Sequence, residues 1–599
     1  MSNWVEIDGL RLAAVLRAGI YRLYLHTDHI NNINVFPVPD GDTGTNMSMT
    51  MGAVLTALER SPSTHAGQTL THIADAALDG ARGNSGAILA QFLLGLADRA
   101  GDLVVLTKTS FAEAVAQGAR YARDAVCEPR QGTLLSLLAE FSAQITCLSA
   151  DATVSGFDVL FSRAMQTVRS ALASTRDQLE ALRCANVVDA GALGFVEMLE
   201  GITSYLATGE VVQVSLPTHE ADEPMAVADT NAEYQYCVEC LVNGEAIELR
   251  QLKEQLAPLG NSLVTGGTQK KVRVHIHTNQ PQQVFTLAAG FGEVSGQKAD
   301  DIIRQQHASQ HSRRQRVAVV TDSAADIPDA KLDELDIQMI PLRVHFGERS
   351  YLDKVTLSPV QFYHELVTNP QHPKTSQPPP GDFRRSFEFL ASHFAAVVCI
   401  DVTAKVSGTF ASAASAAARV DPARVSVIDS LNASLGQGLI VMSAAETALR
   451  GGNVADVIGA ARQAIRTTKT FALVSRLDYA VRGGRVSRFV KLCADTLRFA
   501  PILTNHADGR IAPGGLILGR LRLQQRFARW VHRRMQADLR YRILIGHGDC
   551  EAQGQALLQD IRGLHANIES IELTPLGTAL GVHGGPGLLV VALQPCAAD

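Results

Sequence analysis

A chain of 599 residues exceeds one compact domain, and at roughly 150 residues per domain it suggests three to five. With 46% hydrophobic residues, 19% charged residues and a net charge of −6, the composition excludes disorder as the main state and argues against a nucleic-acid partner bound by phosphate neutralisation. No apolar run reaches the ~18–20 residues of a bilayer span, the start has no basic region followed by an apolar core, and the nine scattered cysteines have no framework spacing, so the cytoplasm is the expected location.

Residues 1–209 read as helical. Leu12, Leu16, Ile20 and Leu23, and then Ile88, Phe92, Leu93 and Leu96, recur at helical spacing in alanine-rich surroundings. The sharpest signal is Asn34-Val-Phe-Pro-Val-Pro-Asp40-Gly-Asp42-Thr-Gly-Thr-Asn46. The prolines hold an extended backbone, and Gly41 and Gly44 allow a turn that brings Asp40 and Asp42 to one point. Two such carboxylates repel unless a divalent ion lies between them. Thr43, Thr45 and Asn46 are suited to cap the next helix, whose N–H groups suit a phosphate. A plain Pro/Asp/Gly turn is the competing reading. A second loop, Gly80-Ala-Arg82-Gly83-Asn84-Ser85-Gly86, can surround phosphate or merely join two helices. Gly132-Thr133 and Asp189-Ala-Gly191 are further glycine breaks.

Residues 210–231 are polar and acidic, as a linker would be. Residues 232–304 predict a small α+β module, with strands at Tyr236-Cys-Val-Glu-Cys and Lys271-Val-Arg-Val-His-Ile-His-Thr and a helix over 247–256. Strand alternation points His275 and His277 the same way. With Cys237 they could share zinc, the fourth ligand being water, Cys240 or another group; a packed histidine pair is the alternative. A hinge covers 305–315. From Arg316 onward strands and helices alternate, which predicts an α/β domain with a largely parallel sheet. Thr375-Ser376, Ser407-Gly-Thr, Arg485 and His583 lie in polar clusters that could meet a carboxylate or phosphate. Between Arg520 and Arg542 there are eight arginines and one aspartate, either a solvated basic face or a docking surface for the first domain or an anionic membrane.

In this order the glycine and aspartate loops of residues 1–209 resemble the DhaL-type nucleotide-binding domain of dihydroxyacetone kinases, most closely its branch in bacterial fatty acid kinases. The resemblance implies an all-α helical barrel holding ATP with two magnesium ions, on Asp40 and Asp42. It assigns Asn34, Thr43, Thr45, Asn46, Gly83, Asn84, Ser85, Gly86, Thr133, Asp189 and Gly191 to the nucleotide. Gln131 stands where that family has glutamate, and Asn34 stands nearest to where the dihydroxyacetone branch has a third aspartate. Residues 232–304 resemble the middle domain of fatty acid kinases, which favours Cys237, His275 and His277 as the zinc triad. Residues 316–599 resemble the DegV family, whose members bind a fatty acid; by that resemblance Thr375, Ser376, Ser407 and His583, with Arg485, meet the head group. Pro379 departs from the family's serine.

The expectation is therefore a multidomain fatty acid kinase fused to its own acyl carrier, making acyl phosphate and ADP. Its partners would be ATP, a fatty acid, and an acyltransferase or the inner membrane face touched transiently, and a homodimer is the expected state. A kinase for a small hydroxy or keto compound and a non-catalytic lipid binder that senses ATP are the alternatives.

Overall fold

The computed structural model describes residues 4–39, 41–210, 233–311, 316–482, 496, 499–519 and 521–596, leaving out the side chains of 308–311. Asp40, Arg485 and Arg520 lie outside the described residues, as does nearly all of the 210–231 segment. The chain forms two compact units, Met1–Gln306 and His307–Asp599.

The first unit begins with helices whose apolar residues face a common centre. Helix Gly9–Leu25 packs on Ala190–Thr208, and the neighbours follow through Phe157–Gln178, Leu134–Ala150, Lys108–Ala125, Gly83–Ala100 and Ala66–Gly80, which returns to Gly9–Leu25. The ring is thus a closed helical barrel around Phe92, Phe141, Phe161 and Phe195, with an all-apolar cavity of about 80 Å³ at its centre. Helix starts follow from local chemistry. The Asp8 carboxylate accepts from Arg11 N at 2.8 Å, and Thr107 and Ser110 form a capping box. A short ribbon, Ile7–Asp8 against Val105–Leu106, is the barrel's one strand pair among the described residues.

The strand-containing module that starts at residue 233 belongs, as far as Gln306, to the same unit. Its antiparallel sheet runs, in spatial order, Gly260–Thr268, Lys271–Thr278, Tyr236–Asn243 and Glu293–Asp301. Val238, Cys240, Val242, Val272, Val274 and Ile276 fill one face, under helices Leu249–Leu256 and Pro281–Ala288. The opposite face carries Cys237, Glu239, Arg273, His275 and His277. Alternation along each strand sorts the two sets.

The second unit holds two main sheets. One is parallel, in the order Val425–Asp429, Ala396–Asp401, Val317–Asp322, Ile337–Ile340. The other orders six strands as Ile511–Leu518, Phe499–Asn505, Lys469–Leu473, Leu589–Pro595, Tyr541–His547 and Ile568–Pro575, and only its last pair is parallel. Strands Arg343–Phe346, Arg349–Leu352 and Lys374–Ser376 form a separate antiparallel sheet, and the largely parallel sheet expected from the strand–helix alternation holds for the four strands within 317–429 and not for 469–595. There the short turn after Asn505 makes a hairpin, and the final strand inserts antiparallel between two others. No described helix is long and apolar enough to cross a membrane.

Candidate functional site

The Asn34–Asn46 segment leads into helix Thr43–Arg60, and its cap is Asp42 rather than Thr43, Thr45 or Asn46. The Asp42 carbonyl accepts from Asn46 N at 2.8 Å, while its carboxylate makes no capping bond to the helix. Thr45 turns toward Asn31, receiving Asn31 Nδ2 at 2.9 Å on its hydroxyl and giving its N–H to Asn31 Oδ1 at 3.0 Å. Sequence spacing did not reveal that use of Thr45.

The second loop is shorter than its glycines suggest, because Gly80 ends one helix and Gly83 begins the next. Gly83 has φ +58°, and a Cβ there would lie 2.6 Å from Asn46 Nδ2, so both conformation and contact demand glycine. Gly86 lets the helix approach Thr50, and Gly191 lets the start of helix Ala190–Thr208 approach Ser85. Arg82 N donates to Thr50 Oγ1 at 3.1 Å, tying the turn to the first motif.

These two motifs and the polar face of the middle sheet line one crevice. Asn34, Asp42, Thr43, Asn46, Gly83, Asn84 and Ser85 border it from the barrel, and Cys237, His275, His277, Lys298 and Asp300 border it from the sheet. Asn84 Oδ1 is buried there with no hydrogen-bond partner among the described residues. Thr45, Gly86, Thr133, Asp189 and Gly191 are not among the lining residues. Thr133 gives its hydroxyl to Arg130 O at 2.9 Å, and Asp189 caps its helix by accepting from Ala192 N at 2.8 Å. Burial raises the Asp189 carboxyl to about 6, against the opposing effect of the backbone donors of Ala192 and Leu134.

Cys237, His275 and His277 bring one sulfur and two ring nitrogens within 4.8 Å of one another. Strand pairing explains this, since Cys237 stands opposite His277 and Glu239 opposite His275. Cys240 pairs with Val274 on the apolar face, so it is no fourth ligand. Burial, reinforced by His275, lowers His277 to about 3, which keeps it neutral as a ligand requires. Burial also holds the Cys237 thiol well above its usual range, so a cation is needed to ionise it. His275 Nε2 is buried without a hydrogen-bond partner among the described residues, while Nδ1 faces Glu239 Oε1 at 3.3 Å. That donor set fits zinc with one position open.

Glu239 escaped the sequence reading. It is 1% exposed and meets Gly83 N at 2.9 Å, Arg273 Nη2 at 2.7 Å and Lys298 Nζ at 3.7 Å. Burial pushes its carboxyl up, but Lys298, Arg273 and His275 together outweigh that and hold it well below the usual range. The Gly83 N–H expected to meet phosphate is therefore already engaged by this carboxylate.

In the second unit a cavity of about 760 Å³ lies between the carboxyl ends of the parallel strands and the six-stranded sheet. Its walls are mainly apolar, with Val402, Ala433, Val474, Phe499, Leu503 and Leu580 among them. Thr375, Ser376, Ser407 and His583 all line it, together with Gln377 and Gly408. Helix Thr578–Gly584, which carries His583, packs on strand Lys374–Ser376, and a Cβ on Gly408 would lie 2.1 Å from Gln377 Oε1, so the polar groups cluster. Ser376 Oγ is 3.0 Å from His345 Nε2, a neighbour absent from the sequence reading. Burial and then the Arg343 charge lower His345.

The arginine-rich stretch is not uniformly solvated. Arg542 reaches Glu446 at 2.7 Å and Glu569 at 2.7 Å, and the Arg534 guanidinium lies 3.2 Å from the Trp530 ring centroid.

Three family models match. The DAK2 domain covers residues 37–204, the middle domain of fatty-acid-kinase-like proteins covers 233–310, and the DegV family covers 316–595. An uncharacterised protein of Staphylococcus saprophyticus is 30% identical over 313 residues, which is 50% of this chain and 56% of that protein, so the chain spans little more than half of that relative's length. A DegV domain-containing protein of Caldanaerobacter subterraneus is 31% identical over 278 residues, 45% of this chain and 96% of that protein. A fatty-acid-binding DegV family protein from Thermus thermophilus aligns in structure with a TM-score of 0.44 and 27% identity, covering 47% of this chain and 100% of that one. The chain belongs to the DegV family, and ahead of its DegV domain it carries a DAK2 domain and a middle domain of the fatty-acid-kinase-like kind.

Proposed function

We propose that this chain is a fatty acid kinase fused to its own acyl carrier. The observation that carries the reading is that one chain holds both a polar crevice, with Asp42, Asn84 and Ser85 on its walls, and a large apolar cavity with hydroxyls and an imidazole clustered in it. The DAK2, middle-domain and DegV matches, in that order along one chain, support the same pairing.

In this reading Thr375, Ser376, Ser407 and His583 orient the acyl carboxylate, with Arg485 a further member from the sequence. Asn84 and Ser85 donate to the nucleotide phosphates, Asn34, Thr43 and Asn46 complete that wall, and Asp42 with Asp40 would hold magnesium. A carboxylate oxygen attacks the γ-phosphorus, the bond from that phosphorus to the β–γ bridging oxygen breaks, and ADP leaves with the electron pair. The acid is already ionised near neutrality, so no side chain has to remove a proton. Magnesium, when bound, supplies neutralisation of phosphate charge; zinc on Cys237, His275 and His277 supplies a fixed positive charge in the same crevice.

Incubation of the purified chain with labelled ATP, magnesium and either oleate or dihydroxyacetone tests the reading. A hydroxylamine-sensitive acyl phosphate is the expected product. A stable sugar phosphate would make it a small-molecule kinase, and no transfer with lipid still bound would make it a non-catalytic lipid binder.

A further inference from the structure

Glu239 lies where two structural tasks meet. Its Oε1 faces both Gly83 N at 2.9 Å and His275 Nδ1 at 3.3 Å, and its Oε2 receives Arg273 Nη2 at 2.7 Å. Arg273 also donates through Nη2 to Ala81 O at 2.8 Å and through Nη1 to Asp79 O at 3.4 Å. The turn between helices Ala66–Gly80 and Gly83–Ala100 is therefore gripped from both sides. A cation holds the carbonyls ending one helix, and an anion holds the first N–H of the next, each matched to the local helix dipole. The residues that follow Gly83 in this turn, Asn84 and Ser85, face the crevice. The same carboxylate oxygen that holds Gly83 holds one face of the His275 ring, whose other nitrogen is buried without a partner among the described residues.

We infer that Glu239 is a positioning residue that couples the Cys237–His275–His277 cluster to the nucleotide turn, so that a metal on the cluster and nucleotide in the crevice strengthen each other's binding. The inference rests on the reading of the crevice as a nucleotide site. A metal on His275 fixes the ring and its Nδ1–H, and through Glu239 Oε1 it fixes the Gly83 N–H and the orientation of Asn84 and Ser85. A turn already ordered by one ligand is not ordered again at the expense of the second, which is positive coupling, and linkage makes the effect reciprocal.

The test uses the full chain, zinc, and a non-hydrolysable ATP analogue with magnesium, with binding read by calorimetry and zinc affinity by chelator competition. Zinc is expected to tighten analogue binding by roughly 5- to 50-fold in the wild type, within the ordinary range of site coupling. Glu239→Gln keeps the side chain's size, but one of its two terminal atoms becomes a donor, so it cannot accept both from Arg273 and from the Gly83–His275 pair. In that variant the coupling ratio is expected to fall at least several-fold, and any direct attraction between zinc and phosphate remains as the residue. Cys237→Ser should bind the analogue as zinc-free wild type does, and adding Glu239→Gln to it should leave that binding just as insensitive to zinc. An unchanged coupling ratio in Glu239→Gln overturns the inference. If that variant does not accumulate folded, hydrogen exchange of wild-type residues 81–86 decides: zinc should slow it, and unaltered exchange overturns the inference equally. A wild-type chain that binds neither zinc nor analogue instead refutes the nucleotide-site reading, whereas binding of both without coupling refutes Glu239 alone.

Discussion

The polar crevice of the first unit and the large cavity of the second are built on opposite principles. The crevice of the first unit is small, about 50 Å³, and is lined by carboxylates, amides, a lysine, a thiol and imidazoles drawn from two packed layers. The cavity of the second is about 760 Å³ and mostly hydrocarbon, with its few polar groups gathered from the 375–377 and 407–408 segments and from His583. One can select ligands by charge and the other by volume. The difference teaches where specificity resides: single polar substitutions should destroy function in the first, whereas the second should respond to changes in space. Substitutions in each cavity can uphold or destroy that division.

The largest expected effect is on the polar side. Asp42→Ala should reduce phosphoryl transfer by on the order of 10²–10³-fold or more, as loss of one preorganised charge does in other transfer sites. Lipid co-purifying with the chain, measured by mass spectrometry, should remain at wild-type level. Loss of lipid in this variant would mean that the two cavities do not act independently.

A space-filling substitution makes the converse comparison. Ala433 is 7% exposed and lines the large cavity. Ala433→Phe projects a ring into it and should weaken fatty acid binding by about 10- to 100-fold, the range of a misfitted hydrophobic pocket. Affinity for the ATP analogue should not change. The apparent KM for the fatty acid should rise more than kcat falls, and a pure kcat effect would argue that Ala433 matters for folding instead.

The same contrast explains what the sequence could reveal. Charged and glycine-rich motifs are local: Asp42, Gly83 and Asn84 could be singled out from spacing within a few residues, and strand alternation sufficed to put His275 and His277 on one face. The large cavity could be anticipated only through its polar residues, because its apolar walls come from segments as distant as Ala324 and Leu588. Glu239 was hidden for a related reason. On a strand it reads as an ordinary alternating polar residue, and its meaning depends on Gly83, 156 positions earlier. Cap assignment failed at Asp42 because several good capping residues adjoin in Asp42-Thr-Gly-Thr-Asn46 and only the backbone decides among them. Sheet direction failed beyond residue 469 because alternation of elements does not fix the sense of a strand that returns antiparallel.

The smallest effect concerns buried carboxylates, and here the two units also differ. Glu239 is surrounded by cations, whereas Asp322 and Asp401, both 0% exposed, share a site at the ends of adjacent parallel strands. Burial raises Asp322 to about 6, partly opposed by donors from Val402, Ala324 and Gln437; burial and then the Asp322 charge raise Asp401 well above its ordinary range. A carboxyl group with a raised folded pKa binds protons more tightly folded than unfolded, so above about pH 4 the folded state carries extra protons, at Asp322 up to about pH 6 and at Asp401 beyond its ordinary range. The pair's contribution to stability therefore rises as pH falls through 6 and is lost as pH rises. Asp401→Asn removes one of the two charges and should flatten this dependence. Urea unfolding of the variant at pH 8 should show a gain of about 1–2 kcal/mol over wild type in the transition of the second unit, a smaller gain at pH 5 and little difference near pH 4. Equal stability of the two proteins at pH 8 would mean that the pair is already relieved of its charge by another route, and the contrast with the cation-lined Glu239 site would lose its thermodynamic content.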